Sequence, residues 1–127
     1  MRRIGLSIIP WLVNTCYSRW VSLTYPFAGI GRNLSLHYSV DLHRHMSHRI
    51  AIGNSVQMDR SAWVYVSNDA ARGGDPALII GDNCFIARYS QVAALNRIEL
   101  ENDVILSANA LIVDHLHAYE ERADDPR

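Results

Sequence analysis

A six-residue unit that keeps its phase over most of the chain constrains the fold more than any other feature. Its clearest copy runs Ile80-Gly81-Asp82-Asn83-Cys84-Phe85, Ile86-Ala87-Arg88-Tyr89-Ser90-Gln91, Val92-Ala93-Ala94-Leu95-Asn96-Arg97. An aliphatic residue opens each unit, and a small or medium residue often sits four places later. Ile52, Met58 and Val64 open a second triplet, Leu100, Leu106 and Ile112 a third, and Ile30, Leu36 and Leu42 a weaker fourth. The triplets start 22 residues apart from Ile30 to Ile52, 28 from Ile52 to Ile80 and 20 from Ile80 to Leu100. Each spacing is three hexads plus an excess of 4, 10 or 2 residues, which predicts loops at corners near residues 44–49, 67–78 and 97–99.

A six-residue strand with its corner cannot bury its own apolar face. Three such units make one triangular coil, and stacked coils bury a continuous aliphatic column. At the usual strand spacing, four coils rise roughly 19 Å. Gly31, Asn33, Gly53, Asn54, Gly81 and Asn83 are expected at corners, since Gly and Asn tolerate positive φ. The competing fold is an antiparallel sandwich with turns every dozen residues, but phase held across three insertions argues against it. The sequence therefore predicts an all-β chain: residues 1–29 a helical lead-in or cap, and residues 30–127 a parallel β-helix of about four coils.

Composition is compatible with one domain: 127 residues, 49% of them hydrophobic, with net charge −1. That balance leaves no footprint for nucleic-acid binding. The twelve basic residues are all arginine, and six lie in residues 1–49 against Asp41 as the one acid there. Residues 99–127 hold eight acids against Arg122 and Arg127. Cys16 and Cys84 form neither a disulfide framework nor a metal pattern, and Cys84 falls at the small-residue place of a hexad, a core position.

Met1-Arg2-Arg3 followed by an apolar stretch to Val13 has the outline of a signal peptide, but no small-x-small cleavage site follows. The stretch is too short to span a bilayer. A helix from about residue 10 to 23 fits better, with Pro10 in its first turn. Trp11, Leu12, Cys16, Trp20 and Leu23 would share one face, expected to cap the first coil. Peripheral membrane contact by this helix is the alternative use of the same residues.

The Ile-Gly-Asp-Asn-Cys-Phe-Ile-Ala run, with a coil that ends in Val113-Asp114-His115-Leu116-His117-Ala118-Tyr119-Glu120, resembles the hexapeptide-repeat acyltransferases. The nearest subgroup is the O-acetyltransferases of sugars and surface polysaccharides. The resemblance covers about residues 30–127 and is more specific for fold than for substrate. It implies a left-handed parallel β-helix, an exception to the right-handed crossover rule. It also implies acetyl-CoA as acyl donor, a sugar or glycan acceptor, a homotrimer with sites between subunits, and a cytoplasmic location. Members of that family continue past the histidine loop with further coils that form much of the acetyl-CoA groove. The end at Arg127 therefore reads as a truncated member, and no residues are assigned to the donor.

O-acetyl transfer needs a base to take the hydroxyl proton as oxygen attacks the thioester carbonyl, and neutral imidazole does this near neutral pH. The developing oxyanion needs hydrogen-bond donors. In an extended segment His115 and His117 share a face, opposite Ile112. The resemblance implies that one of them is the general base. Family members with a single loop histidine carry it five residues past the rung-opening aliphatic, which here is His117, and members with a His-x-His loop leave His115 open. Asp114 is a candidate to orient an imidazole, and Asn96 and Asn109 are weaker candidates for polar groove residues. The run His43-Arg44-His45-Met46-Ser47-His48, with His37 nearby, invites a metal reading. His43 and His45 would share a strand face and His48 would not, so the run reads as an exposed corner insertion without metal. A hexapeptide-repeat carbonic anhydrase would need ligands spaced His-x4-His, which His115 and His117 do not match. The other function class open to this chain is a non-catalytic β-helix that only folds or oligomerises.

Overall fold

The computed structural model describes residues 2–67 and 76–114. One helix, α1 (Arg2–Thr24), leads into twelve short strands. They are β1 (Gly29–Ile30), β2 (Ser35–Leu36), β3 (Asp41–Leu42), β4 (Ile50–Ile52), β5 (Gln57–Met58), β6 (Trp63–Val66), β7 (Leu78–Ile80), β8 (Phe85–Ile86), β9 (Gln91–Ala94), β10 (Ile98–Leu100), β11 (Ile105–Leu106) and β12 (Leu111–Val113). They form three parallel sheets of four strands each, ordered β1-β4-β7-β10, β2-β5-β8-β11 and β3-β6-β9-β12. The chain thus visits the three sheets in turn, four times. It is a parallel β-helix of four coils.

The register is the one the hexads predict. Ile30, Ile52, Ile80 and Leu100 are successive Cα partners in the first sheet. Leu36, Met58, Ile86 and Leu106 align in the second, and Leu42, Val64, Val92 and Ile112 in the third. These unit-opening residues point inward, and in the middle coils they are almost fully buried. The residues four places later fill the corners of the same core: Val56 and Cys84 at one, Ala62 and Ser90 at another. Cys84 is a core residue, with its thiol 3.1 Å from the Glu101 carbonyl oxygen in the coil above.

The corners correct one part of the glycine and asparagine reading. Positive φ falls at the fourth place of the opening hexad in every coil: Asn33 (61°), Ser55 (56°), Asn83 (59°) and Asp103 (64°). Ser61, Tyr89 and Asn109 repeat it at the next corner. Gly53 and Gly81, at the second place, are there for close approach. A Cβ on Gly53 would collide with Asp82 Oδ1, and one on Gly81 would stand 2.5 Å from Asn102 Oδ1. The oxygens that crowd them form a ladder at the third place. Asn54 Oδ1 accepts from the Arg32 N–H, Asp82 Oδ1 from the Asn54 N–H, and Asn102 Oδ1 from the Asp82 N–H, at 2.7–2.8 Å. Each coil's side chain thus satisfies a corner amide of the coil before it, a group that strand pairing leaves without a partner.

All three insertions leave at one corner, between the third sheet and the first. The segment Arg44–Arg49 is a 3-10 helix rather than a strand or an exposed loop. Met46 and Ser47 are buried beneath it, because Met46 falls at the inward place of the third hexad. Its Arg44 donates to the Thr24 carbonyl at the end of α1 (3.0 Å) and lies over the Tyr25 ring. In the second insertion, residues 68–75 lie outside the described residues.

Helix α1 is longer than expected. It begins at Arg2, so Pro10 lies inside it and leaves the Leu6 carbonyl without its usual helical donor. The helix does cap the first coil, but by the opposite face. Trp11, Leu12, Cys16, Trp20 and Leu23 are exposed, and the docked side chains are Ser18 and Val21. Ser18 Oγ accepts from the Leu36 N–H (2.7 Å), and Asn14 Oδ1 from the Tyr38 N–H (2.9 Å). The first coil offers an unpaired edge of backbone donors, so polar side chains make the better cap there.

Candidate functional site

The predicted chemistry gathers at the corner that follows β12. The last described residue there is Asp114, and His115 and His117 lie outside the described residues. Asp114 does not stand free. Its Oδ1 accepts from the Leu95 N–H (2.6 Å), its Oδ2 from the Asn96 N–H (2.7 Å) and, more closely still, from the Arg97 N–H. These amides form the turn between β9 and β10 in the coil below. Burial pushes the Asp114 carboxyl up, but the backbone N–H groups of Leu95, Asn96, Arg97 and Asp114 outweigh it and hold the group below the usual carboxylate range. Asp114 is therefore a staple. It ties the end of the last described rung to the turn of the coil below.

Because the folded carboxyl titrates below its unfolded counterpart, its contribution is complete above the unfolded value, about pH 4. It is lost as pH falls through the folded value. Replacing Asp114 by Ala should leave the coil folded but free the turn. Native-state hydrogen exchange at the Leu95, Asn96 and Arg97 amides is expected to accelerate about tenfold, while core amides in β8 hold their protection.

The structure brings Asn96 and Asp114 together and sets Asn109 apart. Asn96 is exposed on the turn that Asp114 holds. Asn109 sits at the neighbouring corner, between β11 and β12, with φ 63° and its N–H on the Arg88 carbonyl (3.1 Å). It serves the turn there.

One feature of this face escaped the hexad reading. Trp63 and Tyr65 alternate with the buried Val64 and Val66 on β6, so both aromatic rings stand on the outer face of the third sheet. Their rings stack at 5.5 Å and 12°. The outer column beside them runs Tyr65, Ala93, Val113 and leads directly to Asp114. The aromatic pair therefore lies two coils, about 10 Å, from the rung where the histidine segment begins. The period-two pattern Trp63-Val64-Tyr65-Val66 carries this signal, but the hexad phase registers only Val64 in it.

The histidine run of the first insertion is not on a strand. His43 Nε2 lies 3.1 Å from Asp41 Oδ1, and the His43 and His45 rings sit 5.5 Å apart on the 3-10 turn, all of them exposed. His37 Nδ1 bonds Ser39 Oγ (2.7 Å). Among the described residues no three His, Cys, Asp or Glu side chains gather as a metal site would require.

No protein-family model matches the chain, and comparisons with curated proteins and with solved structures return no significant match.

Proposed function

We propose that this chain is an acetyl-CoA-dependent O-acetyltransferase that acts on a sugar or polysaccharide hydroxyl. One observation carries the reading. A four-coil parallel β-helix in hexad register ends its last described rung at a corner pinned by Asp114, and the next residues are His115-Leu116-His117. The same reading includes the left hand of the coil, a homotrimer with sites between subunits, and a cytoplasmic location, where the donor is made.

In this mechanism the base, His117 or His115, takes the proton of the acceptor hydroxyl. The oxygen then forms a bond to the thioester carbonyl carbon, and the C–S bond breaks from the tetrahedral intermediate. The CoA sulfur leaves as thiolate and collects the proton from the imidazolium. Acceptor rings approach along the outer face of the third sheet. There Trp63 and Tyr65 offer an apolar surface for the C–H faces of a sugar, and the exposed Asn96 beside the Asp114 staple offers polar contacts. Asn109, one corner away, bounds the same face.

Calorimetric titration of the folded chain with CoA and with acetyl-CoA tests the donor half. Saturable binding to both is expected. Absence of heat with either would favour the non-catalytic coil.

A further inference from the structure

We propose that α1 is an interfacial helix that lays its outward face on a membrane surface bearing anionic lipids. The helix is held to the coil by Asn14, Ser18 and Val21, and this fixes which side faces away. By helical spacing Ile9, Leu12, Cys16, Trp20 and Leu23 lie opposite that docked side. They are open to solvent: Ile9 is 60% exposed, Trp20 50% and Leu23 81%. The docking contacts begin only at Asn14, and residues 8–13 before it are exposed. Such a long apolar stripe is rare on a protein surface that meets only water. No helix among the described residues is long and apolar enough to cross a membrane, so the face suits a helix lying in the interface plane.

Charge decides what covers the stripe. Residues 1–40 hold Arg2, Arg3, Arg19 and Arg32 and no acid. Arg19 interrupts the apolar stripe. With Arg32 it lines a cleft of about 610 Å³ between α1 and the first coil, which Thr15 and Ser35 also line. Among the described residues neither arginine has a carboxylate partner. A second copy docking about a two-fold axis would bring these like charges together. Lipid phosphates would neutralise them. Trp20 fits the same occupant, since indole favours the headgroup level of a bilayer.

The test is co-sedimentation of the full chain with vesicles of phosphatidylcholine alone and of phosphatidylcholine mixed with phosphatidylglycerol. Binding to the mixed vesicles is expected, with a blue shift of tryptophan emission, and raised salt should weaken it. The double variant Arg19→Gln/Arg32→Gln should lower partitioning about 25-fold. Ile9→Gln, Leu12→Gln and Leu23→Gln should each lower it about tenfold. These side chains pack on nothing described, so far-UV circular dichroism and the thermal midpoint should stay at wild-type values. Three results would overturn the proposal: no binding to the mixed vesicles, binding that the well-folded variants leave unchanged, or a dimer in sedimentation velocity that the same glutamine variants dissolve.

Discussion

Replacing His115 and His117 together by Ala is expected to lower acceptor-dependent acetyl transfer by about 10²–10⁴-fold, the usual contribution of a positioned general base. The single variants should separate the two. The base variant loses kcat, whereas the variant of the other histidine changes KM or little at all. The residue five places past the rung-opening Ile112 is His117, and the larger loss is expected there. Proton abstraction by neutral imidazole also sets the direction of the pH dependence: turnover should rise with pH and then level. A double variant with the wild-type rate would remove both histidines from the chemistry. Neither is part of the described core, so the variant should keep the wild-type thermal midpoint, which separates lost chemistry from lost fold.

Gly81→Ala is expected to destabilise the coil by about 2–4 kcal/mol, from overpacking and a lost corner hydrogen bond. The added Cβ would stand 2.5 Å from Asn102 Oδ1 and 2.8 Å from both Asn102 N and Glu101 C. The side-chain oxygen cannot simply swing away, because it holds the Asp82 N–H at 2.7 Å. Nor can the backbone of the upper coil lift without stretching the bond from the Gly81 N–H to the Leu100 carbonyl (2.8 Å). Gly29→Ala is the control. Its Cβ would meet only Ala51 Cβ, at an ordinary 3.8 Å, and a change under about 1 kcal/mol is expected. Thermal or urea unfolding of the two variants reads the difference. Equal midpoints would mean that the coils do not stack in this register.

The fold was legible because its rule is one-dimensional. A rung needs an aliphatic residue every sixth place, and neighbouring coils must match, so Ile52, Ile80 and Leu100 announce both the strands and their partners. Corner chemistry was legible only in part. Asn33 and Asn83 take the positive φ expected of them, but Gly53 and Gly81 are required by the neighbouring coil's Asx oxygen, a contact 21 to 29 residues away that no local pattern reports. Tyr89 takes φ 60° at a place where sequence alone would ask for Gly or Asn. The helix failed more plainly. Apolar spacing picks the stripe through Leu12 and Leu23 as the buried one, but the coil's open edge presents N–H groups, and Ser18 and Asn14 answer them. At the site, the hexad phase located the corner after Ile112. It gave no sign that Asp114 would bind three amides of the preceding turn, because a loop carboxylate's partners depend on how the turn below it folds.

Acetyl transfer itself is the most direct test: incubation of the folded chain with acetyl-CoA and a panel of oligosaccharides, with free CoA thiol measured against time and the sugars examined by mass spectrometry. The account predicts thiol release that requires an acceptor, an acetyl ester on that acceptor, and loss of both in the His115→Ala/His117→Ala variant. Folded protein that releases no thiol with any acceptor, or releases it equally without the two histidines, would contradict it.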